Sequence, residues 1–481
     1  MKIFHLLFSN LHLVKSNFPR VETRIPLILN GIIILRHIYR TRSISMKKLL
    51  FFAPLLLLFS CGHGPAQQLE NKKLNGLAVE YVKLGLAIGQ YDGDFVDAYY
   101  GPDSLKPKSE PLKTFPKDSL LASANSLMND LRTIANTSKI DTNKIRANWM
   151  ADQLVAFSRR IRIFSGEERP FDEESRELFG VAAPVYTDDF FKGQIALLDS
   201  ILPGKGNVND RFQKLANKFI IPKDKLDLVI KAAIAEARKR TIAHYQLPAG
   251  ETFTLEYVTN KPWSGYNWYK GGYKSTVQIN TDLKIFIDRA IDVGSHESYP
   301  GHHVYNMLLE KNLYHDKGWV EISLYPLFSP QSLIAEGSAN YGIEVAFPGD
   351  DKIKFAKNVL LPLAGLDTAG ADLYFKALAI KGTLNYARNE AARGLINNTM
   401  SQDKALSYLR KYCLMNDETA QKSISFIKKY RSYVINYNYG QDLVKNYIES
   451  NGGTAKAPAK RWELFGKLLS QEVEPVSLVK K

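Results

Sequence analysis

The stretch His296-Glu297-Ser298-Tyr299-Pro300-Gly301-His302-His303 carries the strongest signal in the chain, because it holds three of the nine histidines beside a carboxylate. An imidazole next to a carboxylate is what a zinc site with its own general base requires. In the H-E-x-x-H pattern, histidines at i and i+4 share one helix face and both reach the metal. Here position i+4 is Pro300, which cannot bind a metal and removes a helical hydrogen bond. The second imidazole must therefore come from His302 or His303, and the helix must be locally irregular.

A third ligand is expected on an element that returns to this cluster, because a zinc hydrolase needs three protein ligands and an open position for water. Glu336, in Ile334-Ala335-Glu336-Gly337-Ser338-Ala339-Asn340-Tyr341, lies 34 residues after His302. A turn through residues 325–330 and an antiparallel second helix would bring Glu336 back over the histidines. The alternative is that Glu336 is a solvated carboxylate near a helix start, where the helix dipole favours negative charge.

The apolar pattern predicts a mainly α-helical body with one small β-sheet. Helical periodicity dominates from Leu74 onward and resumes from Pro330 to the C-terminus. Around Thr252 the pattern changes to the period-two alternation of strands, over residues 253–258 and 275–280. An aromatic, glycine-rich stretch lies between the two strands. Asn280-Thr281-Asp282 is predicted to cap the helix that carries the histidines, which places the sheet beside that helix.

The first sixty residues are predicted to be targeting sequence and not folded protein. Residues 46–60 open with Met46 and two lysines, continue as an apolar run and end before Cys61, the pattern of a bacterial lipoprotein signal peptide. Cleavage before Cys61 would leave this cysteine as an acylated N-terminus. Residues 1–45 are then upstream translation from a wrongly chosen start codon. The alternative is a genuine membrane segment around residues 25–38, which is interrupted by Pro26, Asn30, Arg36 and His37.

The remaining chain divides into a polar tether over residues 61–73, a helical zinc hydrolase domain over 74–455, and a C-terminal helix and tail over 456–481. The first sixty residues carry nine Lys and Arg and one Glu, about half of the net charge of +15. The mature part is only mildly basic, which gives no case for nucleic acid as a partner. Cys413 would be its single unmodified cysteine, which excludes a disulfide framework and a cysteine-based zinc cluster.

The H-E-x-x-P-G-H-H pattern, followed by E-G-x-A-x-Y from Glu336 to Tyr341, resembles a large family of bacterial lipoproteins whose domain has no assigned function. The stretch Asp92–Pro102 is also similar to that of some members, and the resemblance spans most of residues 75–450. The family in turn resembles the gluzincin zinc metallopeptidases. The resemblance therefore implies a helical metallopeptidase-like body in which two histidines and one glutamate bind zinc.

The same resemblance implies a role for each residue of the cluster. E-G-x-A-x-Y is similar to the E-G-F-A-x-Y of zinc aminopeptidases, whose glutamate is the third ligand, and this favours Glu336. In the relatives the second histidine often follows a glycine, which favours His302 beside His296 and leaves His303 as the alternative ligand or as a support for one. Glu297 is then the base. The family usually has Trp where this chain has Ser338, so one wall of the site is expected to differ.

Two further roles are implied by resemblance alone. The stretch from Tyr433 to Gly440 resembles the family's Tyr-x-x-Gly segment, which implies that Tyr437 donates a hydrogen bond to the oxyanion. With 25 tyrosines in the chain, a core aromatic is the alternative. Gln278 and Asn280 lie on the strand before the zinc helix, and in gluzincins such an edge strand pairs with the substrate backbone. Both residues are therefore expected to bind substrate.

These residues predict a zinc-dependent hydrolase, a metallopeptidase that cleaves peptide or related amide bonds. Its cofactor would be Zn²⁺, its substrate peptide-like, and its location the bacterial cell envelope, where a lipid anchor would hold it to the membrane. The alternative is a non-catalytic envelope lipoprotein that binds peptides or other ligands in a degenerate peptidase cleft. The sequence has no G-x-S-x-G elbow, phosphate-binding loop or dinucleotide fingerprint that would indicate another chemistry.

Overall fold

A computed structural model of the chain describes residues 65–261 and 263–479. The predicted upstream extension over 1–45, the signal peptide over 46–60 and the acylated Cys61 lie outside the described residues. Residues 65–73, which we expected to belong to a tether, form the start of the first helix.

Helices make up most of the described chain. They are α1 Pro65–Gly89, α2 Lys117–Thr137, α3 Asp141–Phe164, α4 Phe171–Phe179, α5 Asp188–Ile201, α6 Val208–Ala216, α7 Leu226–Ile242, α8 Ile287–Glu297, α9 His302–Leu309, α10 Pro330–Ala346, α11 Asp351–Phe355, α12 Leu361–Ala364, α13 Ala371–Thr383, α14 Tyr386–Ile396, α15 Gln402–Tyr412, α16 Asp417–Tyr430, α17 Ile435–Ser450, α18 Pro458–Leu469 and α19 Pro475–Leu478. Within the described ranges no helix is both long and apolar enough to cross a membrane.

Two small sheets accompany the helices. In the first, β1 (Val96–Tyr99) pairs antiparallel with β5 (Leu324–Pro326). The second contains β2 (Thr252–Val258), β3 (Gly265–Gly271) and β4 (Lys274–Asn280) in the order β2-β4-β3. The central strand β4 runs parallel to β2 and antiparallel to β3.

The predicted fold class, mainly α with a small sheet beside the helix that begins the histidine cluster, is confirmed. The aromatic stretch between the two predicted strands forms β3. The predicted helix cap at residues 280–282 is wrong, because α8 begins at Ile287 and its N-cap residue makes no side-chain hydrogen bond. Asn280 instead accepts from the backbone N–H of Asp282 at 3.0 Å, which stabilises the turn that leaves β4.

Helix α10 is the buried centre of the molecule, and 14 of its 17 residues are buried. It packs against α8 on one side and against α17 on another. Its contact with α17 is close, because a Cβ atom on Gly337 would lie 2.4 Å from the carbonyl carbon of Gly440. A side chain at Gly337 would therefore push the two helices apart. The glycines in the E-G and Y-x-x-G segments of the sequence thus bring Glu336 and the tyrosines of α17 together.

Candidate active site

The helix is interrupted between the two halves of the histidine cluster. Helix α8 ends at Glu297 and α9 begins at His302, so the irregularity predicted from Pro300 is a complete break between two helices. The N–H of Gly301 donates to the carbonyl of Ser295 at 3.1 Å. A Cβ atom on Gly301 would lie 1.9 Å from the carbonyl oxygen of His296. Only glycine permits this close approach, which brings His302 beside His296.

Three potential ligand atoms converge where α8, α9 and α10 meet. Nε2 of His296 lies 3.1 Å from Nε2 of His302 and 3.2 Å from Oε2 of Glu336. Nε2 of His302 lies 3.7 Å from the same carboxylate oxygen. Among the described residues, this is the one group of His, Cys, Asp and Glu side chains close enough together to hold a metal ion.

The three atoms fit a zinc ion in both spacing and chemistry. Nitrogen and oxygen ligands of tetrahedral zinc, with bonds near 2.1 Å, lie about 3.3 Å apart. Oε2 of Glu336 is buried and has no hydrogen-bond partner in good geometry, as expected of an atom that a cation would contact. Burial raises the pKa of Glu336, but the adjacent His296 and His302 outweigh this effect, and the pKa lies well below its usual range. The carboxyl group is therefore ionised, as a metal ligand must be.

Asn340 fixes the tautomer of His296. Its side-chain amide donates to the backbone carbonyl of Tyr437 at 2.8 Å, which leaves Oδ1 to face Nδ1 of His296 at 2.9 Å. This hydrogen-bond pattern assigns the imidazole proton to Nδ1 and leaves the lone pair on Nε2, the atom that faces His302 and Glu336. This role of Asn340 was not predicted from the sequence. Its signal was the i+4 spacing from Glu336, which places both residues on one face of α10.

Glu336 is held at its other carboxylate oxygen by the turn that precedes α17. The Tyr433 hydroxyl donates to Oε1 of Glu336 at 2.8 Å, and Ser332 donates to that hydroxyl at 3.1 Å. The turn before α17 is itself anchored, since the Ser432 hydroxyl donates to the buried Glu174 carboxylate at 2.7 Å. This role of Tyr433 was not predicted from the sequence, although Tyr433 lies in the same stretch as Tyr437.

Glu297 is buried beneath strand β3. A Cβ atom on Gly265 would lie 2.9 Å from Oε1 of Glu297, and the Asn267 side chain donates to the Glu297 carbonyl at 2.6 Å. Burial raises the pKa of Glu297 to about 7, although the neighbouring His296 opposes the shift. A bound dication would lower this pKa. The carboxyl group thus lines the same site as the three converging atoms, where a general base is needed.

Tyr437 lies near Glu336, one helical turn after Tyr433. Its ring packs 5.8 Å from the ring of Tyr433 and 6.2 Å from that of Phe426, measured between centroids. Burial and the nearby Glu336 carboxylate raise the pKa of Tyr437 well above its usual value. The hydroxyl therefore keeps its proton and can donate a hydrogen bond. Its role as oxyanion donor stays a prediction.

His303 is turned away from the three converging atoms. Its Nδ1 lies 2.8 Å from the Ser275 hydroxyl, and its Nε2 lies 3.4 Å from Oε1 of Glu251. The side chain is completely buried and ties α9 to strand β4. This follows from helix geometry, because adjacent helical side chains diverge by about 100°. The alternative in which His303 is the second ligand would require α9 to rotate.

The expectation that Gln278 and Asn280 lie on an edge strand is wrong, whereas their binding of substrate stays a prediction. Both residues lie on β4, which is paired on both sides and has no free edge for a substrate. Gln278 accepts a hydrogen bond from the Trp268 indole at 2.9 Å, and Asn280 donates to two backbone carbonyls of the segment before β3. The edge strands of this sheet are β2 and β3, and β3 borders Glu297.

A cleft of about 1260 Å³ opens onto the converging atoms. It is lined by His296, Glu297, His302, Glu336 and Tyr437, which are candidate site residues, together with side chains from strands β1 and β3 and from helices α13, α14, α16 and α17. The volume is ample for several residues of an extended peptide. Ser338, expected to alter a wall, is buried, is not among the lining residues, and donates to the Ala335 carbonyl of its own helix.

Strand β1 brings a further carboxylate into the wall of this cleft. Asp97, from the stretch that resembles the lipoprotein family, accepts a hydrogen bond from the Tyr266 hydroxyl of β3. Burial raises the pKa of Asp97 to about 6, although the hydrogen bond from Tyr266 opposes the shift. The segment around residue 97 therefore joins β3 to the site and adds a second titratable carboxyl group beside it.

Comparison with known proteins gives only loose structural similarities. No family model matches the chain, and no curated protein matches it. A protein from Colwellia psychrerythraea named as a candidate lipoprotein is 13% identical, with 75% of this chain and 68% of that chain covered and a TM-score of 0.47. Trypanosoma cruzi metallocarboxypeptidase 1 is 10% identical, with 84% and 91% covered and a TM-score of 0.40. An M32 carboxypeptidase from Deinococcus radiodurans R1 is 10% identical, with 85% and 94% covered and a TM-score of 0.41.

Proposed function

We propose that this protein is a zinc-dependent hydrolase that cleaves peptide or related amide bonds with an activated water molecule. The observation that carries the proposal is the convergence of His296, His302 and Glu336 at the separations of a tetrahedral site, with Glu297 beside them in one cleft. When bound, Zn²⁺ supplies Lewis acidity, which lowers the pKa of water and polarises a scissile carbonyl. The chain's own residues supply the proton transfers and the orientation.

Glu297 is the proposed proton carrier. Its carboxylate accepts the proton from the attacking water and delivers it to the nitrogen of the leaving amine. A buried carboxylate beside the bound water can do both, because burial favours its protonated form and the nearby cation favours its ionised form. The hydrogen bond from Asn267 to the Glu297 backbone holds the end of α8 in register with β3. The base is thereby fixed on two rigid elements.

Tyr437 is the proposed partner for the negative charge that develops on the carbonyl oxygen. Replacing Tyr437 with Phe removes one hydroxyl and preserves the ring packing with Tyr433 and Phe426. We expect kcat to fall by roughly one to three orders of magnitude, the cost of one oxyanion donor, with zinc content and melting temperature unchanged. Steady-state kinetics on a cleaved peptide and metal analysis measure both. Tyr439→Phe, on the same helix but outside the cleft lining, is the matched control, and wild-type turnover in Tyr437→Phe would assign that tyrosine to packing.

Anchoring to the cell-envelope membrane through acylated Cys61 is the second part of the proposal, supported by the signal-like pattern of residues 46–60. Expression from Met46 is expected to give a fully membrane-bound product. Cys61→Ala should block acylation and cleavage of the signal peptide, which mass spectrometry of the membrane fraction detects. Peptides from residues 1–45 in the protein from native cells would contradict this account.

Metal content together with hydrolysis of a mixed peptide library tests the hydrolase proposal. We expect about one zinc per chain and cleavage that stops when a chelator removes the metal. Zinc binding without cleavage of any library member would instead support the alternative, a non-catalytic lipoprotein that binds peptides or other ligands in this cleft.

A further inference from the structure

Arg388, on α14, is a cation in the cleft wall without an anionic partner. Its Nε is buried and has no hydrogen-bond partner, and no carboxylate of the described residues lies within ion-pairing distance of its guanidinium group. The group lies 4.5 Å from the centroid of the Phe426 ring. A cation over an aromatic face regains only part of the free energy that burial of a charge costs. The charge of the guanidinium group is therefore not neutralised by a carboxylate in the cleft.

Three neighbouring cations of the cleft differ from Arg388 because they are paired. Lys445 lies 2.8 Å from the Glu344 carboxylate, Lys422 lies 3.1 Å from Glu418, and Lys352 contacts Asp292. Each of these lysines contributes little net positive charge to the cleft. Arg388 thus provides an attraction for a negative group that these three do not. Lys261, Arg289 and Lys381 also line the cleft and have no ion-pair partner among the described carboxylates, but of these cations only Arg388 has a buried nitrogen atom without a hydrogen-bond partner.

Arg388 is connected to Glu336 through three aromatic rings. Phe426, which Arg388 covers, packs against Tyr437, and Tyr437 packs against the Tyr433 that holds Glu336. Arg388, the Tyr437 ring and the converging ligand atoms therefore line one cleft, and Tyr437 contacts an aromatic neighbour of each. A ligand that extends from those atoms along this wall would reach Arg388.

We propose that Arg388 binds a carboxylate of the substrate and thereby selects the peptides that the cleft accepts. This inference rests on the proposed function, because it names the part of the substrate that is recognised. A planar guanidinium group can donate two parallel hydrogen bonds to a carboxylate, and peptides carry that group at the C-terminus or on Asp and Glu side chains. The two sources share one chemistry.

Peptide binding separates this inference from hydrolysis. The Glu297→Gln variant, loaded with zinc, is mixed with random pentapeptide libraries that are N-acetylated and end in either a free carboxylate or an amide. Retained peptides are counted by mass spectrometry. With Arg388 present, we expect carboxylate-bearing peptides to be enriched about 10- to 100-fold over those without one, the range for a hydrogen bond to a charged group. In Arg388→Met that enrichment should fall to about one.

The pattern of enrichment identifies the source of the carboxylate. Enrichment of every free-acid peptide over its amide assigns the C-terminal group, whereas enrichment of amides that contain Asp or Glu assigns a side chain. Lys445→Met, which removes a cation that Glu344 already neutralises, is the control and should retain the enrichment. Arg388→Lys, which keeps the charge without the planar fork, serves if Arg388→Met does not fold, and should retain only part of it.

Equal enrichment in Arg388→Met and in the parent, or no enrichment in either, would overturn the inference. Hydrolysis is measured separately on the same libraries with Glu297 intact. Cleavage without any preference for carboxylates would refute the role of Arg388 and leave the hydrolase proposal standing. Selective binding without cleavage would refute the hydrolase proposal alone.

Discussion

Glu297→Gln is expected to retain one zinc per chain and to lower kcat by about 10²- to 10⁴-fold. The amide keeps the shape of the side chain beneath β3 but cannot accept a proton from water, and general-base catalysis contributes an effect of about that size. The converging atoms of His296, His302 and Glu336 are untouched, so metal binding should persist. Single-turnover kinetics on a cleaved peptide and metal analysis of the same sample provide the two measurements.

Glu344→Gln is the matched control for this substitution. Glu344 also lines the cleft, but it pairs with Lys445 and does not belong to the converging group. We expect its zinc content and turnover to be near those of the unmodified protein. Loss of zinc from Glu297→Gln would make Glu297 a ligand, and unchanged turnover would remove it from the mechanism.

His302→Ala and His303→Ala are expected to differ sharply although the residues are adjacent. His302→Ala removes one of the three converging atoms, so zinc should be lost on dialysis and turnover with it. His303→Ala should retain most of its zinc, because that imidazole faces Ser275 and Glu251. It should instead lower the free energy of unfolding by about 1–3 kcal/mol, since it leaves buried polar groups without partners.

Metal analysis after dialysis and denaturant unfolding of both variants provide the comparison. The reverse pattern, with zinc lost only from His303→Ala, would show that α9 rotates when metal binds. In that case the ligand would be His303, and the hydrogen bond to Ser275 would be a feature of the metal-free protein.

The local features of this fold could be predicted from the sequence because short-range rules determine them. Proline at position 300 cannot continue a helix, and the chain does break between Glu297 and His302. Pro330 at a helix start and the alternation over residues 253–258 and 275–280 were equally informative. These signals depend on neighbours in the chain and not on what packs against them.

The features that the sequence did not reveal depend on contacts between distant segments. Strand β4 has partners on both sides, and nothing in its own residues distinguishes a central strand from an edge strand. Asn340 and Tyr433 acquire their roles only when α10 and α17 cross at Gly337 and Gly440. Arg388 has no carboxylate partner among the described residues. This too is a property of the assembled cleft, because it depends on which distant segments surround the guanidinium group.

Zinc titration of metal-free protein tests the central claim most directly. The protein is stripped with a chelator, zinc is added in known amounts, and hydrolysis of a cleaved peptide is followed at each step. We predict that activity rises linearly and stops rising at one zinc per chain, and that Glu336→Ala shows no such rise. Full activity before any zinc is added, or no activity at one bound zinc per chain, would contradict the account.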